Sequence, residues 1–334
     1  MELLLPFILL IFASFFQGSF GLGMKYMSPL SWEAWWLVHV TIAMIIFPFI
    51  WTIIVIPDLF QIISSSPIES IQMAMLYGFL WGIGGIMFGV SVPYIGLSLT
   101  MGIVMGLAGS VGSLIPFFQG SNSTSDPVFQ YVIGGLLISL VGVALTAKAG
   151  IDRDKLQNLT NSNNSNITKG ITIAIVCGVL SALLNVGFSN ATPIAKTAEE
   201  FGVITRNSSL AAWVVVLWGA FTMNALYCIY LLFKNNSWKS FKTIESFKAY
   251  RWSFIAGLCW FAALGVYGQG AALLGDIGPV IGWPMLLGLS LIISNFWAYR
   301  AGEWKNAKKP FNLLLLGLVF LIASAVVLGL GSTV

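Results

Sequence analysis

Residues 311–331 read FNLLLLGLVFLIASAVVLGLG, with no charged side chain anywhere in the run. A helix rises 1.5 Å per residue, so about 20 residues cross a hydrocarbon core of roughly 30 Å. A run this long and this apolar has lipid for its solvent. Toward the amino terminus nine more such runs follow, at approximately 3–23, 33–57, 70–92, 96–118, 128–147, 169–191, 208–233, 252–274 and 278–299. The sequence therefore predicts an all-α integral membrane protein of ten transmembrane helices. Two boundaries rest on little: Pro93 between the third and fourth runs, and Gly275, Asp276, Ile277, Gly278 and Pro279 between the eighth and ninth.

Composition agrees. Of 334 residues, 57% are hydrophobic and 8% charged, whereas a soluble domain devotes about 25% to charge and needs it to cover a wet surface. The net charge of +4 sits in the loops, where it orients helices in a membrane, so no nucleic-acid partner is expected. Cys177, Cys228 and Cys259 fall inside apolar runs without metal or disulfide spacing and read as small buried hydrophobes. Glu2 replaces the basic start of a signal peptide, so the first run is expected to be a retained helix.

Of the 16 Lys and Arg, all but Lys196 and Arg206 fall on one side of the ten-helix alternation. The positive-inside rule makes that side cytoplasmic and places both termini outside. The polar stretch 148–168 lies between helices five and six and reads as a cytoplasmic linker, which puts its Asn-x-Ser/Thr matches at Asn158, Asn163 and Asn166 out of reach of glycosylation. It divides the chain into a first five-helix repeat, 1–147, and a second, 169–334. At an offset of 179, Gly78, Trp81, Gly89, Gly96 and Gly109 coincide with Gly257, Trp260, Gly268, Gly275 and Gly288. Five helices is an odd number, so the second repeat inserts upside down. Inverted repeats of this kind place a substrate site near the midplane.

Helices three and four carry glycines at spacings of three and four, a pattern that lets backbones pack closely. Polar side chains within the spans are few, and lipid makes them costly unless they face a partner or a wet cavity. They are Gln17, His39, Asn185, Asn190, Asn224, Gln269 and Asn295, accompanied by Trp81, Trp260 and Tyr267. Amides supply donors and acceptors for the hydroxyls of a neutral sugar, and aromatic rings supply faces for its C–H surface. The expected substrate contacts are Trp81, Asn185, Asn224, Trp260, Tyr267 and Gln269. Each also admits a plain packing role. For ion coupling, Glu33 at the start of helix two is the candidate proton carrier, on the expectation that burial raises its pKa. As a first-turn acid it equally suits the helix dipole. His39, six residues on, is expected to share a proton path or else simply to pack. Asp276 lies in an outward turn. No metal or cofactor is expected.

Ser31-Trp32-Glu33 with Trp36, the run Trp81-Gly82-Ile83-Gly84 through Gly89, Tyr94, Gly96 and Ser98, the stretch Lys169-Gly170 to Cys177-Gly178 and Ser181-Ala182, and Glu303-Trp304-Lys305-Asn306-Ala307 before Pro310 together resemble the bacterial L-rhamnose/proton symporter family of the drug/metabolite transporter superfamily. The resemblance spans essentially the whole chain and is most specific in the Trp81 and Glu303 runs. It implies ten helices, the bacterial inner membrane, and uptake of L-rhamnose, a 6-deoxy sugar, with protons. Gln269 departs from the family, standing where an aromatic residue is associated with it, and His39 is particular to this chain. The rival readings are an exporter or exchanger of another small metabolite on the same architecture and, more remotely, a membrane-embedded enzyme. An enzyme would need an acid, base or metal cluster near one interface, and one histidine without an acidic partner at motif spacing does not supply it.

Overall fold

A computed structural model describes residues 4–120, 123–157, 167–243 and 245–334. The described residues hold ten helices long and apolar enough to cross a membrane: α1 (Leu4–Tyr26), α2 (Trp32–Val55), α3 (Ile68–Ile95), α4 (Leu97–Gln119), α5 (Pro127–Leu156), α6 (Ile167–Glu200), α7 (Thr205–Lys234), α8 (Ser246–Leu273), α9 (Gly275–Arg300) and α10 (Lys308–Thr333). No strand occurs among the described residues. Backbone polar groups in lipid must be satisfied within the segment, and a helix does that. Large apolar side chains such as Ile54, Leu137 and Val319 lie exposed, a surface suited to acyl chains.

Several helices are shaped by one or two residues. In α2 the turn Ile42–Ile46 widens to π geometry just before Pro48, whose ring has no N–H and crowds the carbonyl four residues back. Pro93, expected to end the third helix, lies within it. The reversal into α4 is made by Gly96 at φ 79°, and the one into α9 begins at Gly275, φ 65°, where a Cβ would be strained. α6 is interrupted at Ala191 and resumes at Thr192–Glu200 with a proline in its first turn. The stretch read as a linker begins as helix: α5 continues through residues 148–156, because Ala149 is buried and Arg153 is anchored. The Arg153 guanidinium reaches Asp154 at 2.7 Å and Glu303 at 3.3 Å and lies 4.8 Å from the Trp304 ring. The Glu303-Trp304 run thus serves a cross-helix anchor. Residues 158–166, with Asn158, Asn163 and Asn166, lie outside the described residues.

The helices form two compact units. One contains residues 1–82 and 187–273, the other 83–186 and 274–334. In the first, α1 packs on α8, and α2 and α8 both pack on α7. In the second, α5 packs on α10, and α4 on α5 and α9. Each unit draws helices from both halves of the sequence, and α3 and α6 run from one unit into the other.

Candidate functional site

In the first unit, α3 and α7 cross at backbone contact. A Cβ on Gly219 would lie 1.9 Å from the Met75 carbonyl oxygen, and one on Gly78 2.0 Å from that of Val216. The glycine spacing of helix three is explained at this crossing, where any side chain would force the helices apart. One turn on, Asn224 of α7 lies against Gly82, beside Trp81.

Asn224 is buried, and its amide is bonded at both ends with one Nδ2 proton to spare. Its Nδ2 donates to the Ala220 carbonyl at 2.9 Å, and its Oδ1 accepts from Trp36 Nε1 at 3.0 Å. Trp36, named only within a motif by sequence reasoning, is therefore a central member of the site. Its ring lies 5.6 Å from Trp32 and 4.8 Å from His39. Its partner Asn224 is 188 residues away, so only the fold reveals it.

His39 has no solvent exposure and stands among four rings: Trp35 stacked at 5.4 Å, Trp36 at 4.8 Å, Phe20 at 6.0 Å and Trp260 edge-on at 6.5 Å. Trp260 in turn meets Trp81 with centroids 5.6 Å apart. Three of the six expected sugar contacts, Trp81, Asn224 and Trp260, thus gather with Trp36 and His39 in one layer of the first unit.

The other three lie elsewhere. Tyr267 and Gln269 sit two turns further along α8, about 10 Å by helical rise. Tyr267 packs at 5.6 Å from Phe188 and 6.2 Å from Trp213, and Gln269 donates through Nε2 to Asn207 Oδ1 at 3.1 Å. Asn185 belongs to the second unit. There its Nδ2 donates to the carbonyls of Gly112 at 2.8 Å and Pro279 at 2.9 Å, tying α6 to α4 and to the start of α9. Both amide protons are spent on backbone. Asn295 likewise donates to the Leu291 carbonyl of its own helix.

Glu33 is 5% exposed. Ser31 caps α2 by accepting from the Ala34 amide at 3.4 Å, so the cap does not depend on the acid. The carboxylate Oε1 instead accepts from Asn235 Nδ2 at 3.2 Å and from the Ser237 hydroxyl. These donors flank Asn236, whose left-handed conformation, φ 50°, turns the chain leaving α7 back toward α2. Glu33, Trp36 and His39 follow at every third residue of α2. Trp36 lies tilted against the imidazole and, through Asn224, reaches the same helix whose end holds Glu33.

The sequence profile of the L-rhamnose-proton symport protein (RhaT) family matches residues 4–334. The chain belongs to that family. Family members named L-rhamnose-proton symporters in Yersinia pestis (strain Pestoides F) and Yersinia pseudotuberculosis (serotype O:1b, strain IP 31758) are each 27% identical over 316 residues, covering 92% of this chain and 92% of the relative. The match includes all the helices that build the Trp81–Trp260 layer and both elements that enclose Glu33.

Proposed function

We propose that this protein imports L-rhamnose together with protons. Membership of the family along residues 4–334 carries the reading, and the chemistry of the site agrees with it. It is a transporter and not an enzyme. The Trp81, Trp260, Trp36 and Asn224 layer joins aromatic faces to an amide, the combination a neutral sugar uses. In our reading these residues form the principal sugar site, and Tyr267 and Gln269 line a second level of the same path. Glu33 is the proton carrier. It is the acid nearest the sugar layer along α2; contrary to the expectation from burial alone, the two donors on its Oε1 favour the ionised form, so loading a proton requires those bonds to give way. One proton moving with one neutral sugar at about 150 mV supplies about 3.5 kcal/mol, roughly 300-fold accumulation.

The inverted repeat is part of the same reading. Trp81 and Trp260, 179 residues apart, are in ring contact, as mates close to a two-fold axis would be. Gly96 and Gly275 share the same offset and the same rare sign of φ. Helices five places apart pack together within each unit: α2 on α7, α4 on α9, α5 on α10. These observations support duplication with inversion; the family match supports a bacterial inner membrane, and the one-sided basic loops support both termini outside.

Purified protein in liposomes, with a pH-sensitive dye inside, tests the function. L-Rhamnose is expected to acidify the lumen, with fucose, ribose and glucose less effective. Glu33→Gln is expected to abolish the acidification while labelled rhamnose still exchanges for unlabelled. An undiminished pH change in Glu33→Gln removes Glu33 from the role. Absence of rhamnose counterflow in the unaltered protein would favour the exporter or exchanger of another metabolite.

A further inference from the structure

His39 is the only histidine in the chain; the Ser253 backbone lies close to its ring, but neither ring nitrogen makes a well-formed hydrogen bond among the described residues. A buried polar atom left unpaired is costly, and native proteins keep few of them. Even with one ring nitrogen turned to the Ser253 backbone, the other is left over. It is not isolated. Trp35 Nε1 and Gln17 Oε1 are also buried without a partner. Trp35 stacks on the imidazole with planes 6° apart. Gln17 is placed by the antiparallel packing of α1 on α8. Gly270 lies against Pro6, Leu9 and Leu10, and Gly23 against Trp252 and Ala256, so Gln17 falls level with Trp260. Unpaired donors and acceptors thus collect in the layer where Trp81, Trp260, Trp36 and Asn224 meet.

We propose that His39 is a direct sugar contact, one nitrogen of its neutral imidazole bonding a sugar hydroxyl while the surrounding indoles take the C–H faces. This rests on the sugar-transport reading and gives His39 a role other than proton relay. A neutral imidazole offers one donor and one acceptor on opposite edges of a small ring. With one edge toward the Ser253 backbone, the other edge is left for a sugar hydroxyl, which can donate or accept as the tautomer requires. The stacked rings of Trp35 and Phe20 hold the imidazole in one plane, so its hydrogen bond is aimed before the sugar arrives and little ordering is needed on binding.

The single histidine makes the test specific. Diethylpyrocarbonate acylates imidazole nitrogen, and on protein freed of any histidine tag His39 is its sole histidine target, read by mass spectrometry. Saturating L-rhamnose is expected to slow that modification at least fivefold, and the modified protein to lose rhamnose-dependent quenching of tryptophan fluorescence until hydroxylamine restores it. His39→Phe keeps a flat ring and removes both nitrogens. It is expected to weaken rhamnose binding at least tenfold with an unchanged melting midpoint in sugar-free detergent, and His39→Gln to recover part of the loss. The proposal is overturned if rhamnose gives no protection, if His39 resists the reagent under all conditions, or if His39→Phe binds rhamnose normally and loses only proton uptake. If the unaltered protein shows no fluorescence response to rhamnose in the first place, the sugar reading itself has failed, a result separable from all of these.

Discussion

Asn224 shows how much one side chain can settle. Its amide has two jobs, a bond back to its own helix and a bond to the Trp36 indole, and the second joins α2 to α7 inside an apolar layer. Removing either partner strands the other, at about 1–3 kcal/mol for a buried group. Asn224→Ala and Trp36→Phe are each expected to lower stability by that amount, and the double variant by little more than either alone. Unfolding midpoints of all four proteins give the coupling directly; additive losses would show that the bond contributes nothing. The residue types of this site were legible in the sequence, because polar and aromatic groups within lipid spans are few enough to notice. Their grouping was not. Asn185 and Asn224 look alike in sequence, yet one clamps backbone carbonyls of α4 and α9 and the other holds an indole. The difference lies in which helix each faces, which no local pattern records.

Among the elements, α3 and α7 approach so closely that their separation is set by glycine. A Cβ on Gly219 meets the Met75 carbonyl oxygen at 1.9 Å, whereas one on Gly85 meets nothing within 4 Å. Gly219→Ala must push two backbones apart, an overpacking cost of about 1–3 kcal/mol or more, and disturbs the Asn224 layer one turn away. Gly85→Ala is expected to hold or raise stability by up to about 1 kcal/mol, since alanine favours helix over glycine. Melting midpoints and rhamnose counterflow compared between the two variants test this. Equal losses would mean that the crossing is not the controlling contact. The existence of each helix followed from apolar length alone, because lipid leaves the backbone no alternative. Ends were harder to read. Pro93 breaks a pattern on paper, but in the last turn of α3 its missing N–H costs one bond, while the change of direction needs a positive φ that Gly96 supplies. The polar residues after Thr146 suggested a loop, but Arg153 and its partners Asp154, Glu303 and Trp304 keep α5 helical two turns longer.

For the molecule as a whole, the distribution of charge carries the prediction. Basic residues are retained on the cytoplasmic side during insertion, and fourteen of the sixteen Lys and Arg share one side of the ten helices. The imbalance is too large for one misassigned span to reverse, since dropping any helix would scatter the basic loops over both faces. Lys242, in the turn Ser237–Lys242 after α7, is then expected to be cytoplasmic, and Thr333 at the end of α10 outside. Both are exposed, and the native Cys177 and Cys228 are buried, so an introduced thiol will dominate labelling once Cys259 is replaced by alanine. In intact cells a membrane-impermeant maleimide is expected to label Thr333→Cys at once and Lys242→Cys only after permeabilisation. The same expected sidedness would put Glu33, held by Asn235 and Ser237 at the end of α7, near the cytoplasmic face, where in the proposed mechanism a proton brought in with sugar would be released. Labelling of Lys242→Cys from outside would invert the protein and with it the direction in which Glu33 delivers its proton.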